Sequence, residues 1–220
     1  MGLGDRLERR SKQSWNAALN LFLRVDCLLC NRSNEQAICP SCQSLLLGGA
    51  RARPLDILEP LPVFAWGSYE GGLKRAILGM KYDGQRAVGE LLGQWLGRSW
   101  RAARLPPLRL VPIPMHEVKR QARGYNQAAV IAQGFAQETK QILDSRLLVR
   151  SRSTTAQHGL SLVDREANLR SAFSIAPFQG VKPMVLLVDD IYTTGATARE
   201  AQRSLVAAGF GVWGIAVVAR

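Results

Sequence analysis

Asp189 and Asp190 close a run of four apolar residues, Val185-Leu186-Leu187-Val188. Thr193, Thr194, Gly195, Ala196 and Thr197 follow a few positions later. An apolar run ending on two carboxylates reads as a buried strand that delivers both acids to one end of a sheet. In open parallel sheets, ligands bind beyond the carboxyl ends of the strands. The segment TTGAT opens a helical pattern, whose first amides lack intrahelical partners and carry the positive end of the helix dipole. Gly195 lets the backbone approach a ligand closely, and three threonines offer hydroxyls, so the segment reads as a cradle for a monophosphate. The neighbouring carboxylates would repel phosphate, but they accept hydrogen bonds from a cis-diol. Ribose 5-phosphate carries both groups and removes the conflict. The plainer reading is a threonine-capped helix behind an acidic strand end. The whole ordered run is far more specific than either DD or TTG alone.

A second set is Cys27-x2-Cys30-x8-Cys39-x2-Cys42, which contains every cysteine of the chain. Two C-x-x-C turns can place four thiolates at the corners of a tetrahedron, which suits structural Zn2+ with no open position for chemistry. Two disulfides or four unrelated buried thiols are the alternatives. The first is disfavoured if the chain is cytoplasmic, the second by the absence of cysteine elsewhere.

A third set begins where Val111-Pro112-Ile113-Pro114 ends a strand. Met115, His116, Lys119, Arg120 and Arg123 follow, then Gly124, Tyr125, Asn126 and Gln127 at a helix start. Three cations beside a glycine and a helix N-terminus suit a pyrophosphate group; a solvated basic loop is the bland alternative. His116 reads as structural. No Ser/His/Asp or Cys/His arrangement is present.

These residues need a scaffold, and the pattern supplies one. Segments 62–69, 108–114, 146–150, 184–190 and 210–219 read as strands. Segments 71–82, 87–104, 124–140 and 195–209 read as helices, with Leu91, Leu92, Trp95 and Leu96 facing inward on the second. Apolar strands separated by helices imply an α/β fold with a mostly parallel sheet covered by helices. Ahead of it lie a helical lead-in at 1–26 (Trp15, Leu19, Phe22 and Leu23 at helical spacing), the four-Cys module at 27–47 and a Gly/Arg/Pro-rich linker at 48–59. The domain proper spans 60–220.

A 47% hydrophobic and 21% charged composition places the 220-residue chain among globular proteins, and no apolar run is long enough to span a bilayer. No secretory signal is legible, so the expected location is cytoplasmic. The net charge of +12 favours polyanionic partners. Arg98, Arg101 and Arg104 share a helical face near Trp95 and Trp100. That face is either an arginine-plus-aromatic surface for single-stranded DNA or a solvated flank over core tryptophans.

The segment VLLVDDIYTTGAT resembles the phosphoribosyl pyrophosphate (PRPP) motif of type I phosphoribosyltransferases. Together with VPIPMHEVKRQARGYNQ, RSRSTTAQHGLSLVDREANLRSAF and the four-Cys module, it makes residues 15–220 resemble the competence protein ComF (GntX-like) family. In that family a zinc-ribbon-like head precedes a phosphoribosyltransferase domain. The resemblance implies that Asp189 and Asp190 bind the ribose diol, that 193–197 bind the 5-phosphate, and that Mg2+ arrives with PRPP. It makes 111–127 the pyrophosphate loop, and makes Arg152, Thr154, Gln157 and Arg165, with Arg150, Asn168 and Arg170, a flap over the ligand. Tyr69–Gly72 with Lys74, and Lys81–Gly84, resemble further family stretches without an evident role.

Three functions are consistent with these residues. The first is a PRPP-binding protein of DNA uptake or imported single-strand handling. The second is a nucleotide-salvage transferase, and the third is a catalytically degenerate PRPP-sensing scaffold. The base-recognising hood of a salvage enzyme would fall in the stretch joining the cysteine module to the first strand, where no base pocket is legible. Nothing identifies protein partners.

Overall fold

The structure is a computed structural model that describes residues 25–150 and 172–220. The chain divides into two compact units, Met1–Gly48 and Gly49–Arg220. The described part of the first contains β1 (Val25–Asp26) paired antiparallel with β2 (Ser33–Asn34), then helix α1 (Pro40–Gly48). The expected lead-in at 1–26 lies outside the described residues except for Val25 and Asp26, which are in β1.

The second unit is a mixed α/β structure. Its strands are β3 (Leu55–Asp56), β4 (Val63–Gly67), β5 (Arg109–Pro112), β6 (Leu148–Arg150), β7 (Phe173–Ile175), β8 (Val185–Ile191) and β9 (Val212–Ala219). Its described helices are α2 (Gly71–Tyr82), α3 (Arg86–Ala102), α4 (Glu117–Arg123), α5 (Gln127–Thr139) and α6 (Ala196–Ala207). Five strands form the main sheet in the order β3-β4-β9-β8-β5. β4, β9, β8 and β5 run parallel, with β3 antiparallel at the edge. All five residues of β4 and the first four of β8 are buried, as continuous apolar runs in a sheet covered on both faces should be. β6 and β7 form a separate antiparallel pair. Among the described residues no helix is long and apolar enough to cross a membrane.

The stretch 48–59, read as a linker, carries the edge strand. Leu55 and Asp56 pair with Phe64 and Val63. Asp56 is gripped by Arg51 at 2.8 Å and by Arg220 at 2.6 Å. Arg51 belongs to the same stretch, but Arg220 and the pairing strand β4 come from other parts of the chain, so local composition did not reveal them.

Helices α3 and α5 pack with their backbones nearly touching. A Cβ on Gly93 would stand 2.1 Å from the Ile131 carbonyl oxygen, and one on Gly134 would stand 2.2 Å from that of Glu90. Neither neighbour is a side chain that can swing away. Gly93→Ala must therefore push the helices apart. We expect a net loss of about 1–3 kcal/mol, despite alanine's better helix propensity, read as a lower midpoint in thermal unfolding.

Helix α2 sets the geometry of the site. It leaves β4 at the carboxyl edge of the sheet, where the Tyr69 amide donates to the Arg220 carbonyl just past β9. At its other end Lys81 reaches Asp190 at the end of β8. A 12-residue helix is ~18 Å long, enough to cross two strand spacings of ~5 Å each. α2 therefore runs across the carboxyl edge, with Leu73, Ala76, Ile77 and Met80 buried beneath it.

Candidate functional site

Asp189 and Asp190 sit at the carboxyl end of β8, half-buried, where the strand leaves its apolar run. Asp189 Oδ1 accepts the Asp190 amide at 2.8 Å. Asp190 Oδ2 receives the Lys81 ammonium at 2.8 Å, with only 17% of the lysine side chain and 13% of the aspartate exposed. Burial, and then the charge of Asp190, push the Asp189 carboxyl up to about 8, against the opposing pull of the Asp190 amide, Lys81 and Arg150. The Lys81 ammonium offsets negative charge at the pair. Two adjacent acids here do not make a strongly repulsive wall beside a phosphate.

The following loop is shaped by Gly195, at φ 75°, which caps α6 with no side-chain hydrogen bond. A side chain there is strained by the left-handed φ, and its Cβ would also have to displace the Tyr192 hydroxyl, 2.2 Å away. Thr193 and Thr194 are exposed, while Ala196 and Thr197 are half-buried in the first turn of α6. Arg199, one turn into the helix, donates to the Thr194 carbonyl at 2.7 Å. Residues 193–197 are thus brought beside the acid pair, with a guanidinium that the motif alone did not indicate.

The third set is arranged differently from its expected loop. Residues Glu117–Arg123 form α4, started by His116, whose Nδ1 accepts the Val118 amide at 3.2 Å, and ended by left-handed Gly124. Arg120 is paired within the helix to Glu117 at 2.7 Å. Arg123 lies 5.1 Å from the centre of the Tyr82 ring, and Lys119 is exposed. The cations are therefore not gathered on one point. Asn126 caps α5 by accepting the Ala128 amide at 3.1 Å and ties it to β5 through the Ile113 carbonyl at 3.0 Å. Gln127 is 2% exposed, and its buried amide nitrogen has no hydrogen-bond partner in the structure. Arg152, Thr154, Gln157, Arg165, Asn168 and Arg170 lie outside the described residues. Arg150, at the end of β6, is close enough to Asp189 for mutual attraction.

The surface expected around Arg98 and Arg101 is the solvated-flank alternative. Trp95 and Trp100 are buried, Trp95 stacked on Trp66 and Trp100 against Phe64, Phe135 and Trp213. Arg98 and Arg101 both pair with Glu138. Neither tryptophan face is available to a base.

In the small unit the four cysteine sulfurs all lie within 4.8 Å of one another. Cys30 and Cys39 Sγ are 3.7 Å apart, close to the ~3.8 Å edge of a tetrahedron with 2.3 Å metal–sulfur bonds. The Cys39 amide donates to Cys27 Sγ at 3.3 Å. Burial raises the Cys27 thiol, but backbone amides of Cys39, Leu29 and Cys30 outweigh it and bring it down to about 6. Burial and the neighbouring sulfurs push Cys42 up to about 12. This donor set fits a metal such as zinc, whose charge would let all four ionise.

Competence protein F of Haemophilus influenzae is 36% identical over 115 residues, a match spanning 50% of each chain. The DNA utilization protein YhgH of Salmonella typhi is 30% identical over 193 residues, covering 82% of this chain and 83% of that one. The chain belongs to the competence protein F/YhgH family. Its Escherichia coli K12 member is 29% identical over 205 residues, covering 85% and 88% of the two chains. No family model matches the chain. In this competence protein F/YhgH relative, Lys81 and Arg199 are the site residues that sequence reasoning did not assign. The Lys81–Gly84 stretch was visible as a family likeness, but only the path of α2 across the sheet edge gives it a partner.

Proposed function

We propose that the larger unit is a type I phosphoribosyltransferase-like domain that binds PRPP at the end of β8, and that the protein serves in DNA uptake or the handling of imported single strands. The observation that carries this is the joining of a charge-compensated acid pair to a glycine-capped helix start on one short loop. Asp189 and Asp190 accept from the ribose 2′- and 3′-hydroxyls. The amides of 193–197, with Arg199 behind them, take the 5-phosphate. Arg123 and Gly124 frame the diphosphate side, while Asn126 holds the start of α5 beside them and Gln127 is buried behind. Mg2+ travels with the diphosphate and neutralises its charge, since Lys81 already occupies Asp190 and, among the described residues, no group of carboxylates gathers into an all-protein cage. The cysteine unit holds structural Zn2+. The printed names of the relatives and the net charge of +12 support the DNA role.

Isothermal calorimetry with PRPP, with and without Mg2+, tests the reading. Charge-assisted hydrogen bonds are worth about 1.5–3 kcal/mol each, so the Asp189→Asn/Asp190→Asn variant should bind at least about tenfold more weakly. Unchanged affinity in that variant would remove the ribose assignment. Pyrophosphate release, screened against candidate bases, measures turnover.

A further inference from the structure

We infer that Tyr82, with Arg123 packed on its ring, is a stacking platform for a base of single-stranded DNA at the edge of the candidate site. The inference rests on the single-strand reading proposed above and gives it a location. Sequence-tolerant single-strand binding needs an aromatic face open to solvent, flanked by cations for the backbone. Among the described residues Tyr82 is the only exposed aromatic, with 70% of its surface open to solvent. Every described tryptophan is buried or half-buried. A tyrosine that open, at the end of a helix with a well-buried opposite face, contributes little to packing.

Its surroundings are cationic. Arg123 lies over the ring at 5.1 Å. Arg86 and Arg123 both act on Tyr125, whose hydroxyl donates to the Met80 carbonyl, so both guanidiniums stand around the last turn of α2. α4 has no buried residue and displays Lys119, Arg120 and Arg123 against one acid, Glu117. Asp83, next to Tyr82, and Glu90, which pairs with Arg86, are the opposing charges. The preceding residue, Lys81, holds Asp190. Successive residues of a helix point about 100° apart, so the two side chains face different ways from one turn. A base on Tyr82 is therefore at the margin of the ribose site and outside it.

Fluorescence anisotropy of the full chain with a labelled oligothymidylate is the test. Stacking is worth ~1–3 kcal/mol per base, so Tyr82→Ala should weaken binding ~5- to ~150-fold. Tyr82→Phe and Tyr82→Trp should stay near wild type, and all three should melt within a degree or two of it. Arg123→Met should weaken binding and flatten its salt dependence. Undiminished binding by Tyr82→Ala, while the wild type binds, overturns the platform and leaves the DNA reading standing. A wild type that binds no oligonucleotide even at low salt overturns both. Equal loss in Tyr82→Phe and Tyr82→Ala also overturns the platform, because a ring face is all that stacking requires.

Discussion

A Lys81→Met variant is expected to melt well below the wild type at neutral pH and to recover most of the difference as the pH falls towards 4. The Lys81–Asp190 pair is short and mostly shielded from water. Removing one partner from such a pair leaves a buried charge uncompensated, at a cost of about 3 kcal/mol. For a chain of this size that corresponds to roughly 6–12 °C in Tm. Asp189 fixes the sign of the pH dependence. Its folded carboxyl is pushed up to about 8, chiefly by burial and then by Asp190, while the ordinary value is 3.8. The folded state therefore holds a proton that the unfolded state releases. The stabilisation from this group is complete below about pH 4 and is lost as pH rises through about 8. The wild type should become less stable over that window, and Asp189→Asn should flatten the slope. In Lys81→Met the slope should steepen, because Asp190 has lost its ammonium and Asp189 keeps only the Asp190 amide and Arg150 to favour its carboxylate. Thermal melts of the three proteins from pH 4 to 9 measure this directly. A Tm difference for Lys81→Met that does not change with pH would mean that the lysine acts only through packing of its stem.

That ion pair also marks where the sequence stopped being readable. The strand VLLV, the acids that end it and the helix that follows are contiguous, so periodicity and turn chemistry place them without help from elsewhere. The same holds for α3, where Leu92, Trp95 and Leu96 are buried as expected, Leu91 is half-buried and Val88 joins the inner face. Periodicity gives the inner face of α2 equally well, as Leu73, Ala76, Ile77 and Met80. It does not say whether the helix turns back along the sheet or crosses its edge, and only the crossing brings Lys81 to Asp190. Nor does it decide whether a tryptophan on an arginine-rich helix faces in or out. Four aromatic neighbours from β4, α5 and β9 decide that for Trp95 and Trp100. α4 did leave local signs: an i,i+3 pair in Glu117 and Arg120, and Gly124 one residue past the end. The edge strand at Leu55–Asp56 is only two residues long, and it is held by pairing with β4 and by the ion pair of Asp56 to the distant Arg220, neither of which is local; Arg51, five residues from Asp56, is its one nearby partner.

Stripping metal from the cysteine unit should unfold it while the larger unit keeps its cooperative melt. The described residues of the small unit bury only Cys27, Ile38, Cys39 and Leu46, and two of those are themselves the proposed ligands. Two aliphatic side chains cannot offset the chain entropy of ordering some two dozen residues, at ~1–2 kcal/mol each. For these described residues metal binding would offset the difference, since structural zinc contributes roughly 10–16 kcal/mol in zinc-finger peptides. The purified protein should therefore carry one zinc per chain by elemental analysis. Chelation should make the β1–β2 ribbon and α1 susceptible to proteolysis near Gly48, with readdition of zinc restoring protection. Cys30→Ser, which leaves three sulfurs, should bind zinc far more weakly and show the same cleavage without chelator. Two disulfides predict the opposite on both counts: no zinc, and no thiols titratable after denaturation. The 3.7 Å between Cys30 and Cys39 Sγ is far longer than a ~2.05 Å sulfur–sulfur bond and matches ligands arranged around a shared ion. A folded protein free of zinc, with protection at Gly48 unaffected by chelation, would show instead that hydrogen bonds such as Cys39 amide to Cys27 and Gln43 to Ile38 are enough to hold the unit together.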